Sequence, residues 1–286
     1  MRRNPSTEFT LRDLAWAAPV ILIVSFSCVL SLARVTLAEK REFKVSERPS
    51  LSITTFNGSI TVRAGSGGQI KTTVQKVGMG ATQEDAEADL LLTEVEYKQE
   101  ADAVQIVARR RGNSRPGSAG ANFEVEVPEG TSLTLQSSNG SFAIEGVRGT
   151  ISARTTNGEI QVRDGAGKLD LNSSNGGIEA QASETVVTAE TSNGDVVFSG
   201  TLAAGSHSLT TSNGSIHCKL PADASFRFEA STSNGKVTSG YSGLKPTAGK
   251  TGTHQLAGQV GAPGETPTEL KLSTRNGSIR LDPAGP

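Results

Sequence analysis

One dipeptide in a fixed setting recurs along this chain and limits its fold more than any other feature. Asn-Gly, with Ser or Thr two residues before the Asn and an apolar residue three after it, occurs at Asn57-Gly58, Asn139-Gly140, Asn157-Gly158, Asn175-Gly176, Asn193-Gly194, Asn213-Gly214, Asn234-Gly235 and Asn276-Gly277. Successive copies are 18 residues apart from Asn139 to Asn193, and then 20, 21 and 42 apart. With each Asn as zero, position −6 holds Leu51, Leu133, Ile151, Leu169, Val187, His207, Phe228 and Leu270, and position −4 holds Ile53, Leu135, Ala153, Leu171, Ala189, Leu209, Ala230 and Leu272. Position +3 is Ile60, Phe142, Ile160, Ile178, Val196, Ile216, Val237 and Ile279; position +5 is Val62, Ile144, Val162, Ala180, Phe198, Cys218, Ser239 and Leu281.

This is period-two alternation on both sides of the dipeptide, the pattern of strands with one buried face. Asn-Gly accepts positive φ at little cost and joins the two strands of each repeat. Two all-β architectures use such a unit: an antiparallel β-meander with Asn-Gly as hairpin turn, or a parallel β-solenoid whose corners stack along an axis. The solenoid is favoured. A hairpin has no use for a hydroxyl two residues before every Asn, whereas a stack does, because small hydroxyls and Asn amides form ladders between coils. At a strand spacing of ~4.8 Å, eight coils make a rod on the order of 40 Å long.

Around the repeats the chain divides into four parts. Residues 1–13 are a short polar tail. Residues 14–38 form an anchor or signal segment, because Leu14–Ala33 is a run of 20 residues without a charge, long enough to span a bilayer. A cleavable signal is the rival, with small residues around Thr36-Leu37-Ala38; lipidation at Cys28 lacks the usual aliphatic residue three before it. Residues 39–126 form a capping module with one helix, opened by the capping box Thr82-Gln83-Glu84-Asp85, and with a basic loop from Arg109 to Gly117. Residues 127–286 are the coils, interrupted at 241–268 by a Gly- and Pro-rich excursion of the sort that often carries binding function. Either form of the N-terminal segment exports residues 40–286, so localisation at a bacterial cell envelope is expected.

The stretch VEVPEGTSLTLQSSNGSFAIEGVRGTISARTTNGEIQVRDG and the closing LKLSTRNGSIRL resemble the DUF4097 family of adhesin-like proteins and its neighbour, the GIN-like head of auto-transporter adhesins. The resemblance covers about residues 43–282. It implies a bacterial β-solenoid, often envelope-anchored, without assigned enzymatic activity. It transfers no binding residues. The chain departs from the family pattern at His207 and at the 241–268 excursion.

A reaction is not expected. Acid–base catalysis needs carboxylates gathered on one patch, and Asp164, Asp170 and Asp195 stand at three different places in their repeats. His207 falls at an inward position, where a hydrogen-bonded core histidine is expected; neither it, His217 nor His254 has metal-ligand spacing with another. No cofactor or metal is implied. Tyr97 and Tyr241 are the exported aromatics on which a sugar would stack. Cys218 reads as a small core residue. A net charge of −1 argues against nucleic acid as a partner. The readings that remain are an envelope-anchored binding surface or scaffold for a cell-wall or surface glycan or an envelope protein, a sensory or regulatory ectodomain working through a membrane partner, a rod that self-associates end to end, and, least favoured, a polysaccharide-active β-helix enzyme.

Overall fold

The structure is a computed structural model that describes residues 21–23, 33–112, 119–262 and 267–284. Its N-terminal strands are β1 (Ile21–Ile23), β2 (Ala33–Lys44), β3 (Ser50–Asn57), β4 (Ile60–Gly65) and β5 (Gln69–Gly80), followed by helix α1 (Gln83–Leu91). Then come β6 (Thr93–Glu100), β7 (Ala103–Arg110), β8 (Gly120–Pro128), β9 (Ser132–Asn139), β10 (Phe142–Glu145), β11 (Ile151–Asn157), β12 (Ile160–Asn175) and β13 (Ile178–Asn193). The C-terminal strands are β14 (Val196–Leu202), β15 (Gly205–Asn213), β16 (Ile216–Leu220), β17 (Phe226–Asn234), β18 (Val237–Ser239), β19 (Lys245–Gly249), β20 (Gln255–Val260), β21 (Thr268–Asn276) and β22 (Ile279–Pro283).

The parallel solenoid is the fold. β9, β11, the second half of β12 and the second half of β13 lie side by side in parallel, with Asn139, Asn157, Asn175 and Asn193 in register. After each corner β10, β12 and β13 continue the stack as a second face. Apart from His207 and Ser239, the −6, −4, +3 and +5 rows are apolar and buried from Leu51 to Leu281, and they form one continuous core. Ser239 alone of the +5 row is only half buried.

Within that core, large and small side chains compensate between coils. Along the +5 row Phe198 faces Ala180 on one side and Cys218 on the other, so the largest member fills the space that its two smallest neighbours leave.

Coil order in space differs from coil order in sequence at both ends. The first coil, β3–β4, lies between β7–β8 and β9–β10. The last, β21–β22, enters between β15–β16 and β17–β18. The 42-residue gap before Asn276 is therefore more than a surface detour: the chain lays down the Asn234 coil, makes the antiparallel hairpin β19–β20 beside β17, and returns to fill the place under it.

Both ends are closed. On the N-terminal side β2 and β5 pair antiparallel and extend the face of β8, and β6 closes onto β7. Helix α1 starts at the capping box, with Asp85 N–H donating to Thr82 Oγ1 and Thr82 N–H donating to the Asp85 carboxylate. It packs Ala86 and Leu90 on Val35 and sits so close to β5 that a Cβ on Gly78 would lie 2.2 Å from the Ala86 carbonyl oxygen. Arg109 and Arg110, expected in a loop, instead extend β7 because they pair with Glu94 and Thr93 of β6. Residues 113–118 of that loop lie outside the described residues. On the C-terminal side the outer strand β19 carries Lys245 and Pro246, residues that discourage further strand pairing. The outer side of β18 is occupied by Gly252 and Thr253, which exchange backbone hydrogen bonds with Val237.

Most of the apolar run 14–33 also lies outside the described residues. Ile21–Ile23 pair antiparallel with Thr36–Ala38, so the small residues Thr36 and Ala38 sit within β2. Among the described residues no helix is long and apolar enough to cross a membrane.

Candidate binding surface

The eight corners make the most regular surface of the rod. Each Asn Nδ2 donates to Oδ1 of the Asn on the neighbouring coil at 2.7–2.9 Å, in the order Asn139 to Asn57, Asn157 to Asn139, Asn175 to Asn157, Asn193 to Asn175, Asn213 to Asn193, Asn276 to Asn213 and Asn234 to Asn276. Asn57 itself donates to the Ala119 carbonyl at 3.1 Å. These amides are largely exposed.

Beneath them runs a buried hydroxyl ladder. Thr155, Ser173, Thr191, Thr211, Thr274 and Thr232 each donate to the corner glycine carbonyl of the adjoining coil, at Gly140, Gly158, Gly176, Gly194, Gly214 and Gly277 respectively, over 2.8–3.0 Å. The corner lifts that carbonyl out of the strand ladder, and the hydroxyl supplies the missing donor. At the capped N-terminal end the ladder lapses: Thr55 turns to the Asn57 carbonyl, and Ser137 Oγ is buried without a partner.

The glycines are present for a reason other than the one expected. φ lies in the left-handed region only at Gly58, Gly194 and Gly277 among the corners, and no corner Asn has positive φ. What every corner excludes is a Cβ. On Gly140, Gly158, Gly176, Gly214 and Gly235 it would stand 1.9–2.1 Å from the carbonyl oxygen of the next corner glycine. Tight backbone stacking, not turn geometry, selects glycine there.

A concave groove opens near the C-terminal end, where the 241–268 excursion walls the outer face of the coils. It encloses about 600 Å³. Its floor carries two opposed charge pairs in register, Arg227 facing Glu269 and Glu229 facing Lys271, flanked by Ser206 and Ser208, with Thr247 and Gln259 from the hairpin. None of the four charged groups is engaged in an ion pair with another described residue. Sequence reasoning singled out the excursion but not this floor. Arg227, Glu229, Glu269 and Lys271 occupy outward positions of two coils that become neighbours only because the last coil is inserted.

The other residues considered fall apart spatially. Asp170 pairs with Arg154 at 2.8 Å, Asp195 caps the Ser215 N–H at 2.7 Å, and Asp164 holds a left-handed bend at φ 51°. His217 touches Asp282 at 3.1 Å, and Arg280 binds the same carboxylate at 2.5 Å. The His254 carbonyl accepts the Thr232 N–H. Among the described residues no group of three or more His, Cys, Asp or Glu is placed to hold a metal ion. Cys218 is buried, which pushes its thiol well above the usual range. Tyr241 is buried edge-on against Phe226 and donates to the Leu220 carbonyl at 2.7 Å. Tyr97 packs on Phe43 beneath Arg41, so neither tyrosine presents a free ring face.

His207 is built into the core. Its Nδ1 accepts the Val187 N–H at 3.3 Å and its Nε2 lies 3.0 Å from the Ala203 carbonyl, which fixes the neutral tautomer protonated at Nε2. Backbone pairing of β13 with β15 begins one residue later, at Thr188, so in this 20-residue coil the imidazole supplies the acceptor that Val187 otherwise lacks. Burial lowers its pKa from the ordinary 6.5, opposed by the Ala203 carbonyl. The unfolded chain therefore binds the proton more readily, and stability is fully present above pH 6.5 and is lost as pH falls toward the folded value. In urea titrations, His207→Leu is expected to flatten the loss of stability as pH falls below 6.5, whatever its cost at neutral pH. An unchanged slope would assign the acid sensitivity to other groups.

The Toastrack DUF4097 family profile matches residues 118–282, more than half of the sequence. The chain belongs to the Toastrack DUF4097 family. Its matched region starts just before β8, so it takes in seven of the eight Asn-Gly corners. Solved structures similar to this Toastrack chain include a putative cell adhesion protein from Clostridium sporogenes at 12% identity, TM-score 0.34, covering 86% of this chain and 100% of the other. A putative adhesin from Bacteroides fragilis aligns at 14% identity, TM-score 0.39, over 86% of this chain and 97% of the other. A putative lipid binding protein from Parabacteroides distasonis gives 14% identity, TM-score 0.38, and 87% and 97% coverage. No curated protein matches the sequence.

Proposed function

We propose that this Toastrack chain is a non-catalytic binding rod of a bacterial envelope, with the groove beside the β19–β20 hairpin as its contact face. The observation that carries this reading is the groove floor, where Arg227, Glu229, Glu269 and Lys271 stand among hydroxyl and amide groups on a rigid sheet, with no ion pair to another described residue. Such a surface suits a polar polymer that offers both hydroxyls and charges, as a cell-wall or surface glycan does, because hydrogen bonds and opposed charges fix its orientation without an aromatic platform. The capped ends, with Pro246 in the outer strand, weigh against association of rods end to end.

The test is binding of the exported part to a panel of cell-wall and capsular polysaccharides. Saturable binding that weakens at least about tenfold in an Arg227→Ala/Lys271→Ala double variant of unchanged thermal stability would support the groove, since about 1.4 kcal/mol of lost contact is tenfold. Binding that the double variant retains would move the contact elsewhere, and no binding to any member would remove the adhesin-like reading.

A further inference from the structure

We propose that the C-terminal coil Thr268–Pro283 is an exchangeable strand pair, and that a second copy of this chain can supply it to the same slot, so that two rods join by reciprocal exchange. This goes beyond the binding reading and does not depend on it.

Three observations carry the inference. First, the coil is inserted rather than appended. β21 is paired on one side with β15 from Gly205–Thr268 to Asn213–Asn276, and on the other with β17 from Arg227–Glu269 to Asn234–Asn276. β22 is likewise held between β16 and β18. The slot is thus a complete strand acceptor whose walls are laid down before its occupant is made. Second, the corner marks in the slot are generic, and the one particular contact, His217 with Asp282, forms equally with an exchanged coil. Thr274 binds the Gly214 carbonyl, Thr232 the Gly277 carbonyl, and Asn276 bridges Asn213 and Asn234. The Asn234 coil carries the same marks (Phe228, Ala230, Thr232, Asn234, Val237) and has the equipment to close directly onto the Asn213 coil when the slot is vacant. Release of the last coil therefore need not leave an open gap. Third, what is released bears the buried face Leu270, Leu272, Thr274, Ile279 and Leu281, which requires an acceptor of this one shape.

An exchanged pair makes the same contacts as two closed rods, so concentration and the connecting segment set the balance between them. This differs from end-to-end stacking, since the capped ends are not used.

Directly paired strand neighbours lie ~4.8 Å apart, inside the Cα separation of about 4.4–6.8 Å that a disulfide spans. Asn213→Cys and Asn276→Cys are therefore placed in two separate full-length chains of different tag length, which are mixed, unfolded and refolded together under mild oxidation. A covalent heterodimer is expected, its 213–276 linkage identified by peptide mass and its yield rising with protein concentration. The double variant in one chain is the control and should close internally at low concentration. Closure of the control with only monomers in the mixture would overturn exchange. A control that fails to close would overturn the insertion itself.

Discussion

Gly176→Ala is expected to destabilise the rod by at least about 4 kcal/mol, whereas Gly177→Ala, one residue further on, should change stability by no more than about 0.5 kcal/mol. The two positions differ in one respect that matters. A Cβ on Gly176 would sit 2.0 Å from the Gly158 carbonyl oxygen, 2.5 Å from its carbon and 3.0 Å from the Glu159 nitrogen, whereas on Gly177 the nearest atom is the Asp195 carbonyl oxygen at 3.4 Å. The neighbours of Gly176 are backbone, which cannot rotate away. Relief requires spreading two coils, and with them the Ser173 hydroxyl bond to Gly158 and the Asn175 amide bond to Asn157. Urea denaturation of both variants checks this. Equal, small effects would show that the corners are looser than described.

The second large effect is expected at Phe198→Ala, about 3–5 kcal/mol. Because Ala180 and Cys218 flank Phe198 in the same row, truncation leaves three small side chains in succession and a void that rigid coils cannot collapse to fill. Ala180→Leu should change sign with background. Alone it overpacks the row against Phe198 and costs about 1–3 kcal/mol; with Phe198→Ala it should recover part of the loss. Additive effects in the double variant, measured by the same denaturation, would argue that the two residues do not share a space.

Period-two alternation around Asn-Gly was sufficient to read the buried faces, because inward positions −6, −4, −2, +3 and +5 are set by strand parity alone. The Thr82–Asp85 box likewise announced α1, since capping is a local interaction. Coil order could not be read in this way. Every corner carries the same frame, so nothing in the residues from Leu270 to Ile279 says that they belong between the Asn213 and Asn234 coils. The groove was hidden for the same reason: its charges face one another across that non-sequential boundary. The part played by glycine was concealed by chemistry, because a residue demanded by positive φ and one demanded by backbone proximity are written with the same letter. His207 stood out as a departure from the aliphatic pattern, but its purpose, supplying an acceptor to Val187 in a lengthened coil, rests on a neighbour 20 residues away.

The asparagine ladder also has a sense of direction. Every Nδ2–H points toward the N-terminal cap and every Oδ1 toward the hairpin end, from Asn57 on Ala119 to Asn234, the last in the row. The side-chain amide dipoles are therefore aligned head to tail, and in such a series each member polarises the next. The rod is vectorial along one edge, with partial negative charge accumulating at Asn234. A further corner amide added with its polarity reversed would set carbonyl against carbonyl, so the row can be lengthened by another Asn in one sense only.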